Sequence, residues 1–139
     1  MRLGGSALAI ALCSLLLALL MLLLGHVFAG EERMWAPAAA GAIVGPVLTL
    51  LVVRYGGGFT ELAVGGTLVS ALGTLISTIV YYVLIGLQWQ AMGYYTVLEY
   101  LVMMIRSGVF IVGFIRDFVM GLAALLTVAG ALAILVVGE

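Results

Sequence analysis

The fold class this sequence predicts is all-α: a polytopic integral membrane protein, a small bundle of five or four transmembrane helices forming a single domain over residues 1–139. Three observations predict it. Of the 139 residues, 66% are hydrophobic and only 8% are charged, whereas soluble domains carry about a quarter charged residues. The apolar residues fall into runs of about 20, the helical length that crosses a hydrocarbon core of about 30 Å. The breaks between runs are too short to fold on their own. Inside lipid each backbone N–H and C=O must find its partner within its own segment, which selects helices for such runs.

The first run, Leu3 to Phe28, is uncharged and follows Arg2. Its end, Val27-Phe28-Ala29, has the small-residue character of a signal-peptide cleavage site. The run is longer than the apolar stretch of about 7–15 residues in a signal peptide, so it reads as a retained first span. Cys13 lies mid-span among leucines and alanines, the setting of an inert buried thiol. His26 sits at its far end near Glu31 and Glu32, where interfacial packing explains it better than pH sensing.

The second run, Met34 to Val53, places Pro37 in a first helical turn and Pro46 where a kink is expected. Gly41 and Gly45 have the GxxxG spacing that lets two helices approach closely, and the third run is their expected partner.

The third run, Leu62 to Leu87, sorts its residues by size. At about 100° per residue, Gly66, Thr67, Ser70, Gly73, Thr74, Ser77 and Thr78 share one face. Tyr81 and Gln88 continue it, while Leu68, Val69, Leu72, Leu75 and Ile76 take the other side. Small residues admit a neighbouring backbone and hydroxyls bond across the gap, so the face predicts a helix-packing seam. The alternative is a hydroxyl-lined path for a small ion or solute. Glu61, just ahead of the run, complements a helix N-terminus.

The fourth run, Ala91 to Ile115, contains Glu99 and Arg106, two helical turns apart and so on one face. It is either a full span with two intramembrane charges or a short span ending near Ile105 with an interfacial piece after it. An intramembrane carboxylate suggests a proton relay, cation site or counter-ion. An ion pair with Arg106, or an interfacial place among Tyr94, Tyr95 and Tyr100, explains it more simply. The fifth run is Phe118 to Val137, with Arg116-Asp117 read as a solvated turn ahead of it. Counting the fourth run as a span gives five.

Five spans with the N-terminus inside gather Arg2, Arg54 and Arg116 on one side, with Arg106 nearer to it. Glu31, Glu32 and Arg33 fall on the other, which is the positive-inside asymmetry. Trp35, Trp89, Tyr94 and Tyr95 then lie at the outer interface, where amphipathic rings settle. The expected location is therefore a membrane crossed several times, with a cytoplasmic N-terminus.

Composition narrows function. Five arginines, no lysine and six acidic residues leave a net charge of −1, which excludes a basic nucleic-acid binder. One cysteine and one histidine exclude a disulfide within the chain, a thiolate zinc site and any site of two imidazoles. A lone peripheral His is poor support for haem, and no cofactor is expected. No nucleophile stands with a base, so no enzyme is expected. Gly66-Thr67-Leu68 with Gly73-Thr74 resembles a short stretch of small dual-topology fluoride channels. The chain has no asparagine and lacks their TFST segment, and no family follows from that stretch.

The leading expectation is a non-catalytic small membrane subunit that works through helix–helix assembly, in a larger complex or with copies of itself. Its partners would be membrane lipid and other membrane subunits. One alternative is an oligomeric channel or transporter using the hydroxyl face of span three and Glu99. Another is a hydrophobic subunit of an extruded filament or virion.

Overall fold

A computed structural model describes residues 3–27, 35–54 and 58–137, excluding the side chains of 3–6 and 136–137. Arg2, Glu31, Glu32, Arg33 and Glu139 lie outside the described residues, and so does the expectation that rests on their charges.

Among the described residues five helices follow one another: α1 (Leu3–Val27), α2 (Ala36–Arg54), α3 (Phe59–Ala91), α4 (Val97–Arg106) and α5 (Val109–Val137). Four of them, α1, α2, α3 and α5, are long and apolar enough to cross a membrane. The protein is a polytopic helical membrane bundle, with four helices able to span among the described residues, the lower of the two counts expected.

The break comes in the fourth run. Residues 91–115 are divided among the end of α3, a turn, the ten-residue α4, a second turn and the start of α5. Gly93 and Gly108 mark the two turns, with φ of 83° and 80°, a left-handed backbone that glycine adopts without a Cβ clash. Thr96 caps α4, its hydroxyl oxygen accepting the Glu99 N–H at 3.2 Å. Behind α4, the Ser107 N–H donates to the Met103 carbonyl and the Gly108 N–H to that of Ile105. The turn expected at Arg116-Asp117 is absent, because α5 runs through both residues.

Residue contacts give the directions. Gly41 of α2 lies against Gly121 of α5, Gly45 against Leu125 and Ala129, and Thr49 against Ala129. The numbers rise together, so α2 and α5 are parallel. Ala9 and Ile10 share a groove with Glu61 and Gly65, while Leu17 and Ser14 meet Gly73, so α1 and α3 are parallel as well. Gly66 meets Leu126 and Tyr82 meets Phe110, making α3 antiparallel to α5. One parallel pair thus runs against the other.

The interior is selected by size rather than polarity. Leu17, Val44, Leu48, Val69 and Leu125 fill the centre together with Cys13, Ala40, Ala129 and Ala133. Ser14, Thr49, Ser70 and Thr74 are equally buried. Leu8, Leu12, Leu15, Leu19 and Leu23 line the outside of α1 with about half their surface exposed. Lipid tails are as apolar as leucine, so leucine gains little by leaving them, whereas small residues gain close helix contacts.

The helices differ in length. By a rise of about 1.5 Å per residue, the 19 residues of α2 cover about 28 Å and the 33 of α3 about 50 Å. Carried back along the parallel pair from Gly41 and Gly121, the start of α2 is level with Arg116. The first turns of α5, the last turns of α3 and all of α4 extend past it. Arg106 and Arg116 therefore sit at the end of the bundle opposite Arg54. The expectation that Arg54 and Arg116 share one side is overturned.

Candidate functional site

Three places carry the residues that the sequence singles out: the α2–α5 seam, the small-residue face of α3, and the outward side of α4.

The α2–α5 seam holds Gly41 and Gly45. A Cβ on Gly41 would overlap the Gly121 carbonyl, and one on Gly45 would stand 2.9 Å from the Leu125 oxygen. The backbones touch here, as the GxxxG spacing implies, but the partner is α5 and not α3. The fully buried Thr49 hydroxyl lies 2.9 Å from the Gly45 carbonyl and 3.2 Å from the Ala129 carbonyl across the seam. Pro46 is accommodated within α2.

The α3 face is divided between two neighbours. A Cβ on Gly66 would crowd Leu125 and Leu126 of α5; one on Gly73 would crowd Leu17 and the Ser14 carbonyl of α1. Ser70, Thr74, Ser77 and Thr78 are buried, and the Thr78 hydroxyl donates to the Thr74 carbonyl at 2.7 Å. Two positions depart from the expected face. Thr67 is exposed, its hydroxyl turned back to the Ala63 carbonyl at 2.9 Å. Val69, assigned to the outer side, is fully buried in the core. Further along, Tyr82 is buried and Gln88 is exposed.

Ser70 Oγ and Thr74 Oγ1 are buried without a hydrogen-bond partner. Hydroxyls so placed are costly unless a partner or water arrives. They sit in packed surroundings, however, and the grooves at α4 and beside Glu61 do not include them.

On α4 the outward side forms an open depression of about 640 Å³ lined by Leu98, Glu99, Val102, Met103, Arg106 and Ser107. Glu99 is exposed in the first turn, where the Thr96 hydroxyl donates to its carboxylate at 3.1 Å. Arg106 is exposed in the last turn. A carboxylate at a helix N-terminus and a cation at its C-terminus complement the helix dipole. Glu99 and Arg106 are thus the two ends of a short helix, not charges within a span. Among the described residues no ion pair joins them; the pair observed is Arg116–Asp117, with Nε 3.3 Å from Oδ1.

The signal for α4 was present in the sequence. Thr96-x-x-Glu99 is a capping-box pattern, Gly93 follows the end of α3, and Ser107-Gly108 closes α4. Aromatic contacts seat it. Tyr100 is buried against Gly86 and Tyr82, and Tyr82 also meets Phe110 of α5 with ring centroids 5.5 Å apart. Burial pushes the Tyr100 phenol above its ordinary pKa, and Tyr81 adds to the shift. Trp89 packs edge-on against Tyr94 and Tyr95.

Among the described residues, no three His, Cys, Asp or Glu side chains converge to hold a metal. Comparisons with protein-family models, curated proteins and solved structures find no match for this chain.

Proposed function

We propose that this chain is a non-catalytic membrane subunit that works by assembling with other membrane helices, those of a larger complex or of its own copies. The observation that carries the reading is how the α3 face is used. Gly66 and Gly73 are taken up against α5 and α1, and Ser70 and Thr74 are fully buried between helices. The surface that remains is apolar helix, with Leu72, Leu75, Ile79 and Leu84 outward on α3. A chain with this exterior acts on its surroundings through lipid and neighbouring helices.

The channel reading would join the hydroxyl face to Glu99. Their separation weighs against it: the hydroxyls lie inside the bundle, and Glu99 is on the exposed side of α4. The N-terminus-inside orientation counted Arg54 together with Arg116, whereas among the described residues Arg54 lies at one end and Arg106 and Arg116 at the other. The arginine count no longer supports it.

Native mass spectrometry of the protein extracted from its own membrane tests the assembly reading. A defined complex with other membrane chains, or a closed ring of copies, is expected; a lone monomer under conditions that preserve other complexes would contradict it. Ion flux into liposomes separates the rival. No flux is expected from wild type or from Glu99→Gln, whereas wild-type flux lost in the variant, with assembly intact, would favour a channel.

A further inference from the structure

The outward side of α4 needs a covering that the bundle does not provide. Leu98 is 72% exposed and Ile105 53%, with Val102 and Met103 partly exposed beside them. The opposite side, through Tyr100, is committed to α3 and α5. A ten-residue helix that exposes four apolar side chains beside Glu99 and Arg106, and is tied to two membrane spans by short turns, is poorly suited to face water.

We propose that this side of α4 docks on the lipid surface, lying in the headgroup layer with its apolar residues turned toward acyl chains and Arg106 toward phospholipid phosphate. Continuity is the first support. The exposed apolar surface of the spans runs to the base of α4 through Leu84 and Leu87 on α3, and through Ile111, Val112 and Ile115 on α5, where the one exposed charge beside the path, Arg116, is paired with Asp117. Lipid that covers the spans therefore reaches α4 along the α3 side without meeting a charge. Charge is the second. Arg106 has no acidic partner among the described residues; the Glu99 carboxylate accepts from Thr96, and Asp117 pairs with Arg116. An arginine beside exposed apolar residues suits the phosphate level, with its stem along the acyl region and its guanidinium among headgroups. The third is the aromatic group at the same end, with Tyr94 66% exposed and Trp89 packed against it. Such amphipathic rings settle at membrane interfaces.

The test uses the full chain in phosphatidylcholine–phosphatidylglycerol liposomes. In a Cys13→Ala background, single variants Leu98→Cys and Val102→Cys carry a nitroxide, with Leu72→Cys on α3 as the lipid-facing reference. Collisional relaxation by oxygen and by an aqueous nickel chelate is read at each site. Lipid docking predicts oxygen access exceeding nickel access severalfold at Leu98 and Val102, as at Leu72. Nickel access equal to or above oxygen access would place the surface in water and overturn the proposal. Low access to both, with an immobilised spectrum, would mean that protein covers it and would overturn it equally. Trp89 gives an independent reading in Trp35→Phe protein: lipids brominated near the headgroup should quench it more than deep-brominated lipids or aqueous iodide. Stronger quenching by iodide would again contradict lipid docking.

Discussion

The α2–α5 seam and the α4 end occupy adjoining parts of one small bundle, yet they are built by different rules. In the seam, glycine removes side chains so that backbones meet, and Gly41, Gly45, Ala129 and the Thr49 hydroxyl define a parallel contact with little room to adjust. At α4 the structure is made from local chain signals. A cap at Thr96, two left-handed glycines and one buried tyrosine fix a helix that leaves most of its surface open. Changes in the seam should act on the whole bundle; changes at α4 should stay local.

Gly41→Leu breaks the comparison most severely. Its side chain would meet the Gly121 backbone, which cannot rotate aside, so the loss should lie at the top of the roughly 1–3 kcal/mol typical of overpacking, or beyond it. Thermal unfolding in detergent measures it. Gly130→Ala on α5 is the control: its Cβ meets nothing within 4 Å. The change should be neutral or stabilising by up to about 1 kcal/mol. Equal losses would mean that the seam is not where helix contact is decided.

A smaller loss is expected at the α1–α3 contact. Gly73→Leu confronts the Leu17 side chain, which can move, and the Ser14 carbonyl, which cannot. A cost of about 1–3 kcal/mol is expected. Leu72→Ala, on the exposed side of the same helix, should cost less in the same unfolding measurement. Similar values for the two would mean that the buried face of α3 is misassigned.

Thr96→Ala sharpens the other side of the comparison. Loss of an N-cap costs about 1 kcal/mol, and here it should appear as faster amide exchange over α4 with α2 and α5 unchanged. Slowed or unchanged exchange would show that α4 is held by something other than its cap. Smallest is the effect of alkali. Because burial raises the Tyr100 pKa in the folded protein, its contribution is complete below the ordinary tyrosine value of about 10. It is lost as pH rises from there through the elevated value. Tyr100→Phe should remove that part of the alkaline loosening of α4, read by amide exchange.

The sequence was most legible where length and size alone decide. The limits of α1 and α2 follow from apolar runs of bilayer length, and most of the α3 seam follows from the spacing of glycines and hydroxyls. Partner choice was not legible: GxxxG at Gly41 and Gly45 announces a close approach without saying to which helix. Thr67 and Val69 exchanged sides because the buried face follows contacts with both α1 and α5, and valine fits that interface while threonine bonds its own backbone. Arg116-Asp117 resembled a turn because two charges in an apolar run suggest its end. Adjacent in the helix, they neutralise each other and α5 continues. At α4 apolar composition masked chain punctuation. Ala91 to Ile115 is hydrophobic enough for a span, but Gly93, the Thr96–Glu99 cap and Gly108 divide it into pieces too short to cross.

That α4 does not cross the membrane is the claim on which the bundle's topology turns. In a Cys13→Ala background, Tyr94→Cys and Ser107→Cys place one thiol before α4 and one after it. Each is treated with a membrane-impermeant maleimide from one side and then from the other, in vesicles of uniform orientation. Four spans predict that both thiols react from the same side, with Gly58→Cys reacting from the opposite one. Labelling of Tyr94→Cys and Ser107→Cys from opposite sides would make α4 a span and contradict the account.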